Sequence, residues 1–311
     1  MLVAAEAGRL RGFSGPDLSE THGLQHRRPR IRPHQLVFEN ACVRASSRDS
    51  ADQQVGARRD RVEPVHIRDL VESMNVLSKL PRNRLLLALP SRDLRNLMSH
   101  LEHFPCGREQ ILVEAGSPLD HVFFPDSGVI SALAVYSDGS TIEMATIGRE
   151  GCAGVKAVFG TSMSTARYLV QIPGSATKMS RAAFTRAVRQ MPSFRNLVYA
   201  YVQAFIEQIL VSGGCNGAHG LKERLARWLL VMRDRSDEDT LPITQDLLAE
   251  MLGVQRPTIT NAVGELERKG LIKRGRKEIT ILNRRGLIKA SCECYQLLRT
   301  RFASHLPKTY A

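Results

Sequence analysis

From Leu85 to Leu101, leucines stand at Leu86, Leu89, Leu94, Leu97 and Leu101, the three-and-four spacing that turns one side of a helix toward a core. Short apolar runs then replace that period. The segments QILVEAG, HVFFPDSGVISALAVYSDGSTIEMATIG and YLVQIPGSATKMS are β-rich and are broken by Gly, Pro and Asp about every ten residues. In YSDGST, Tyr136 to Thr141, an Asp-Gly pair sits between two such runs, which is the hairpin signal. An antiparallel roll or barrel is the expected result.

The helical period returns in SFRNLVYAYVQAFIEQILVSGG, but Phe194, Leu197, Val198, Tyr201, Val202, Phe205, Ile206, Ile209 and Leu210 cover too wide an arc for one buried face. Such a helix needs two partners. One is the roll of its own chain, and the other is the same helix of a second copy, for which Phe194, Val198, Tyr201, Phe205 and Ile209 are the expected dimerisation residues. A helix buried inside a monomer is the plain alternative. Gly213 and Gly214 are expected to end it, within a hinge from Ser212 to Gly217. In LKERLARWLLVMRDR the period continues through Leu221, Leu225, Trp228, Leu229 and Met232, with Trp228 a core anchor.

Next come two short amphipathic patterns around one glycine. Thr244 can cap a helix that buries Leu247, Leu248, Met251 and Leu252, and Gly253 stops it. A second stripe, Ile259, Ala262, Val263 and Leu266, makes the pair meet at an angle around Ala249 and Gly253. Pro257 fits the first turn of the second helix. That helix leaves Gln255, Arg256, Thr258, Asn261 and Glu265 outward: Arg256 can fork onto guanine, Asn261 can pair with adenine, and Thr258 or Gln255 can hold a phosphate. GLIKRGRKEITILN then reads as a basic hairpin wing carrying Lys273, Arg274, Arg276 and Lys277. From Arg256 to Lys289 there are ten Lys or Arg against three acids, enough to neutralise several phosphates. A solvated basic face is the competing reading, and the coincidence of helix–Gly–helix, polar outer face and wing favours double-stranded DNA.

Composition sharpens this. A formal charge of +13 in 311 residues favours a polyanionic partner, while 5% aromatics weighs against a base-stacking single-strand binder. No apolar run reaches the length of a membrane span and no secretion signal opens the chain, so a soluble cytoplasmic protein without a membrane partner is expected. Residues 1–73 hold twelve arginines, no lysine and ten acids without period, and read as a disordered extension, either dispensable, through a misplaced start, or a basic arm. The six cysteines include no CxxC pair. Cys292 and Cys294, two apart on an expected helix, would point to different sides, so no metal site and no cofactor is expected. No nucleophile–base constellation, HExxH or phosphate-cradling loop speaks for an enzyme.

From about residue 80 to 300 the chain resembles the Crp/Fnr family of bacterial transcription regulators, most specifically in ITQDLLAEMLGVQRPTITNAVGELERKGLI. The resemblance implies an α+β fold: a disordered extension (1–73), a cyclic-nucleotide-binding-like β-roll of the double-stranded β-helix or jelly-roll kind (74–190), a dimerisation helix and hinge (191–214), and a winged helix-turn-helix (215–311). It implies a homodimer on an inverted repeat, with Gln255, Arg256, Pro257 and Asn261 at base-contacting positions, Thr258 on phosphate, and Thr244 and the wing cations beside them. RNA polymerase is a further partner open to such a regulator. Pro257 stands where the family often has Glu or Ser, and Asn261 where it often has Arg, so a different half-site is expected.

Nucleotide-binding members carry a Gly-Glu pair and later an Arg-Ser or Arg-Thr. Gly154-Val155 and Ser164-Thr165 stand in those places here, which removes the guanidinium that would hold a cyclic phosphate and makes cyclic AMP an unsuitable effector. Cys42 is alone before Met74, which does not support an oxygen-sensing cluster, and neither His121 nor His219 carries a haem-ligand pattern. Arg149, Glu150, Gly151, Gly154, Ser164, Thr165 and Arg167 form the candidate effector pocket, with a plain strand-to-helix loop the equal alternative. Against a regulator stands a nonspecific nucleoid-type DNA binder without an effector.

Overall fold

The computed structural model describes residues 80–306, so the expected extension over 1–73 lies outside the described residues. The leucine pattern becomes two short helices, α1 (Arg84–Leu87) and α2 (Ser91–Met98), because Pro90 interrupts a single run. Strands β1 (Glu102–Cys106), β2 (Ile111–Val113), β3 (His121–Val135), β4 (Thr141–Ile147) and β5 (Arg167–Ser180) follow, with a short 3-10 helix (Val155–Phe159) between the last two. All pair antiparallel in the order β1-β5-β3-β4, with β2 also on β5. The hairpin at Asp138-Gly139 forms as its sequence predicts, with Gly139 at φ 82°. β1 escapes sequence reading because only Cys106 of EHFPC is buried, and no alternation marks an edge strand of that kind.

β3 and β5 bend together at Gly128, whose φ is 75°. A Cβ there would lie 2.4 Å from the Ile172 carbonyl oxygen, so only glycine lets the strands approach and the sheet curl. Successive residues of β3 serve two cores. Ile130 and Ala132 face the roll interior, and Val129 and Leu133 face the helices that pack outside. Where β3 and β5 meet α1, buried Asn83 caps Leu86 N–H and donates to the carbonyls of Pro125 and Gly151, and Asp126 accepts from the Asn83 backbone and from Thr177.

Helix α3 (Arg181–Gln190) leads into α4 (Pro192–Ala218). The expected stop at Gly213 and Gly214 is not where α4 ends: the helix runs on to Ala218 with His219 as its C-cap. Glycine costs a helix only about 1 kcal/mol relative to alanine, and buried Val211, Ser212 and Cys215 hold this segment on one side. The chain instead turns at His219-Gly220 into α5 (Leu221–Ser236). Trp228 is buried there as expected, and its Nε1–H donates to Glu143 on β4 at 2.8 Å. Burial pushes the Glu143 carboxyl above its ordinary range, opposed by hydrogen bonds from Ser131 and Trp228.

After β6 (Thr240–Leu241) come α6 (Gln245–Leu252), α7 (Arg256–Arg268), β7 (Ile272–Arg274) and β8 (Ile279–Ile281), the three strands pairing in the order β6-β8-β7. Two further helices follow, α8 (Arg284–Ala290), which packs on α5, and α9 (Cys294–His305), which brings the chain back onto α4. This return corrects the reading of the cysteines. Cys292 precedes α9, so the helical rule that would separate it from Cys294 does not apply, and both side chains are buried toward Cys215 and His219.

The joint between roll and helices is a buried ion pair. Arg235 Nε donates to Glu150 at 2.6 Å with side chains 3% and 5% exposed, while its Nη2 donates to Gln208 of α4 and its guanidinium lies 5.4 Å from the Phe302 ring of α9. Removing one partner of such a pair costs about 3–5 kcal/mol, because the other charge stays buried. Arg235→Ala is therefore expected to lower the urea-unfolding free energy by about that amount, and Arg235→Leu combined with Glu150→Leu to recover most of it. A single-mutant loss below about 1 kcal/mol would remove the pair from this role.

Candidate DNA-binding interface

The helix pair is built as its pattern predicts. Thr244 Oγ1 accepts from Leu247 N–H at 3.2 Å and caps α6, while Gly253 takes φ 65° and ψ 44°, the left-handed turn in which Val254 N–H reaches the Ala249 carbonyl. Both predicted stripes are buried, Leu247, Leu248, Met251 and Leu252 against Ile259, Ala262, Val263 and Leu266. What remains outward is the start of α7: Gln255, Arg256, Pro257, Thr258 and Asn261 are all exposed. Thr260 is exposed as well, but its hydroxyl donates to Gln245 at 2.7 Å and ties the two helices. Arg256 pairs with Asp246 at 3.2 Å, both about two-thirds exposed, so the contact is weak and yields readily to a stronger anion.

The wing is fixed to this helix. Glu267 of α7 accepts the backbone N–H of Arg274 at 2.9 Å and its Nε at 2.6 Å, contacts that hold the Glu267 carboxyl below its ordinary range. Gly275 N–H reaches the Glu278 carbonyl and closes the turn, which exposes Lys273, Arg274, Arg276 and Lys277. Between the start of α6, the start of α7 and the wing runs a groove of about 270 Å³ lined by Thr244, Gln245, Arg256, Arg274, Arg276 and Lys277, with Asp246 and Glu278 among them. Five of the residues expected to touch DNA thus share one groove, Gln255, Pro257, Thr258 and Asn261 stand beside it on α7, and Lys273 lies on the wing strand. Forked and point-charge donors in such a row suit phosphates flanking a base edge.

The expected effector residues do not gather. Arg149 pairs with Asp237 and Glu150 with Arg235, Gly151 packs against the Tyr201 ring, and Arg167 Nε holds Glu114 at 2.8 Å. Gly154 takes φ 86° before the 3-10 helix, and the Ser164 hydroxyl donates to the Ala166 carbonyl. Glu150 lines a charged cleft with Arg84, Arg233 and Arg284, and Thr165 alone of the seven lines an apolar cavity. That cavity, about 360 Å³, lies between the roll and α4 and is walled mainly by Ala132, Met144, Phe159, Tyr168, Phe205 and Ile209. Its one cationic lining residue, Lys156, donates to Thr165 at 2.6 Å. The glycines of the loop do not mark this cavity, which is made by apolar strand and helix residues far apart in the chain.

The dimerisation residues are also redistributed. Phe194, Val198, Tyr201 and Phe205 belong to the core of their own chain, with Ile209 half-buried beside it. The side of α4 left open carries Tyr199, Gln203, Ile206, Leu210, Gly213 and Gly217, all exposed and spaced alternately four and three apart. That alternation is the spacing of apolar positions in a coiled coil. The same spacing stands in the sequence beside the larger aromatic residues of the opposite face.

Residues 223–290 match the family model of the Crp-like helix-turn-helix domain. Among solved structures, the chain is similar to FixK2 from Bradyrhizobium japonicum at 17% identity and TM-score 0.54, over 62% of this chain and 98% of that one. The c-di-GMP responsive global regulator CLP from Xanthomonas campestris aligns at 12% identity and TM-score 0.53, over 62% and 99%. A CRP/FNR family transcriptional regulator from Thermus thermophilus aligns at 20% identity and TM-score 0.51, over 61% and 98%. No curated protein sequence matches the chain. The chain has the fold of Crp/Fnr transcription regulators, a cyclic-nucleotide-binding-like roll followed by a Crp-like helix-turn-helix domain. Among the described residues no helix is long and apolar enough to cross a membrane.

The cap gives a local test. Thr244→Ala is expected to cost about 1 kcal/mol in urea unfolding and Thr244→Ser a few tenths, since serine keeps the oxygen that accepts from Leu247. Equal losses for the two would show that the cap does not hold α6.

Proposed function

We propose that this chain is a cytoplasmic, homodimeric transcription regulator of the Crp/Fnr type that reads an inverted repeat in double-stranded DNA and responds to an effector other than cyclic AMP. The observation that carries the reading is the basic groove, where Arg256 at the start of α7 shares one surface with Arg274, Arg276 and Lys277 of the wing. Gln255, Arg256 and Asn261 are then the base readers, and Thr258 and the wing cations hold phosphate. The exposed four-and-three stripe of α4 supports pairing of two copies, whose recognition helices would then address successive major-groove turns. The apolar cavity beside that stripe argues against a cyclic phosphate, because no arginine lines it. Contact with RNA polymerase belongs to the same proposal.

Footprinting on genomic fragments is expected to show discrete palindromic sites that survive moderate salt, and uniform coverage that melts with salt would replace the regulator by a nonspecific binder. On such a site Arg256→Ala should lose about 1–3 kcal/mol of discrimination between operator and random DNA, and Lys277→Ala should lower the salt slope by about 1. Unchanged discrimination for Arg256→Ala would refute its role in reading bases. Ile206→Glu, on the open side of α4, should give folded monomers by light scattering, whereas Phe205→Glu should destabilise the chain itself. A dimer of normal size for Ile206→Glu would overturn the seam.

A further inference from the structure

Four ligand-type side chains meet where α4 ends and α9 begins. Cys215 lies in the last turn of α4, His219 caps it, and Cys292 and Cys294 stand on either side of the α9 N-cap, Glu293. The Cys215 and Cys292 sulfurs are 3.5 Å apart, Cys294 Sγ is 3.7 Å from His219 Nδ1, and all four donor atoms lie within 4.8 Å of one another. A tetrahedron with metal–sulfur bonds of about 2.3 Å and a metal–nitrogen bond of about 2.0 Å has edges of about 3.5–3.8 Å. The donors are therefore spaced as ligands of one ion and need only small side-chain rotations to converge.

Three neighbours fit that use. His219 Nε2 lies 3.1 Å from Glu293, so the carboxylate can accept the Nε2 proton and leave Nδ1 as the donor atom facing Cys294. Three thiolates and an imidazole around a divalent ion leave a net charge of −1. Arg227, 6% exposed, and the half-buried Arg224 supply positive charge at Cys215, and the Nε of each has no hydrogen-bond partner among the described residues.

We propose that Cys215, His219, Cys292 and Cys294 form a closed Cys3His site for one zinc ion. Soft thiolates with an imidazole favour zinc over magnesium or calcium, and four protein donors leave no open position for a substrate, so the site is structural. Binding releases the thiol protons to solvent and joins the end of α4 to the last helix of the chain across the His219-Gly220 turn. The ion thereby limits how far the winged helix can move relative to α4, and its binding adds to folding stability.

The test uses the full chain purified under reducing conditions. Elemental analysis is expected to find about one zinc per chain. Cobalt(II) added to the stripped protein should give a thiolate-to-cobalt charge-transfer band together with the intense visible absorption of a tetrahedral site. Cys292→Ser and Cys294→Ser should each lose the band, while Cys106→Ser, a buried thiol on β1, should keep it. Chelation should lower the urea midpoint of the parent chain and leave that of Cys292→Ser unchanged. The cobalt titration of the parent chain does not depend on how the variants fold. A folded, reduced parent chain that binds neither zinc nor cobalt through thiolate would overturn the site. So would iron with acid-labile sulfide, or a Cys215–Cys292 disulfide as the native state of the pair.

Discussion

The rest of the molecule depends on Arg235 and Glu150 staying together. Both charges are removed from water, so neither can be left alone, and each is anchored on a different body: Glu150 in the loop after β4, Arg235 near the end of α5. Gln208 extends the contact into α4, where its amide also donates to the Thr146 carbonyl and hydroxyl, and the Phe302 ring adds α9. Four elements are thus held by one guanidinium. The loop carrying Glu150 leads directly on to Val155, Lys156 and Phe159, which line the apolar cavity. In the proposed regulator, an occupant of that cavity would press on the segment that holds the ion pair, and through it on the helices leading to the groove.

The helix-turn-helix was legible because local rules and packing agree there. The spacing of Leu247, Leu248, Met251 and Leu252, the cap at Thr244 and the left-handed Gly253 each specify the same two helices, and nothing distant overrides them. The hairpin at Gly139 was legible for the same reason. The cavity was not, since its wall joins Ala132 of β3, Tyr168 of β5 and Ile209 of α4, and no short-range pattern marks such a meeting. Arg149 and Glu150 are charged residues of a Gly-rich loop and Arg167 stands near Ser164-Thr165, yet each already has a partner on another element.

The cysteines show a different limit. A helical rule applied to Cys292 and Cys294 separates them, and it fails because the helix begins between them. Nothing in SCECY announces that α9 starts at Cys294, and the two residues they meet lie more than seventy positions earlier, brought close by the return of α9 to α4. Spacing motifs detect metal sites whose ligands come in local pairs. A site assembled from a helix end and a returning terminus is visible only when the fold is known.

Long helix α4 explains why three glycines can sit in one turn and a half without ending it. A Cβ on Gly213, Gly214 or Gly217 would meet no atom of another part of the chain within 4 Å among the described residues, so their smallness serves no packing there. Gly213 and Gly217 continue the stripe begun by Tyr199, Ile206 and Leu210, and each costs the helix about 1 kcal/mol relative to alanine. In the proposed dimer, a seam would explain the placement. Side chains at Tyr199, Ile206 and Leu210 would space two copies by their bulk, while bare backbone at Gly213 and Gly217 would let the helices approach at the end where each winged helix leaves. The separation of the two recognition helices would then be set by how closely the glycine ends meet, and a dimer reading half-sites about one DNA turn apart needs that distance fixed.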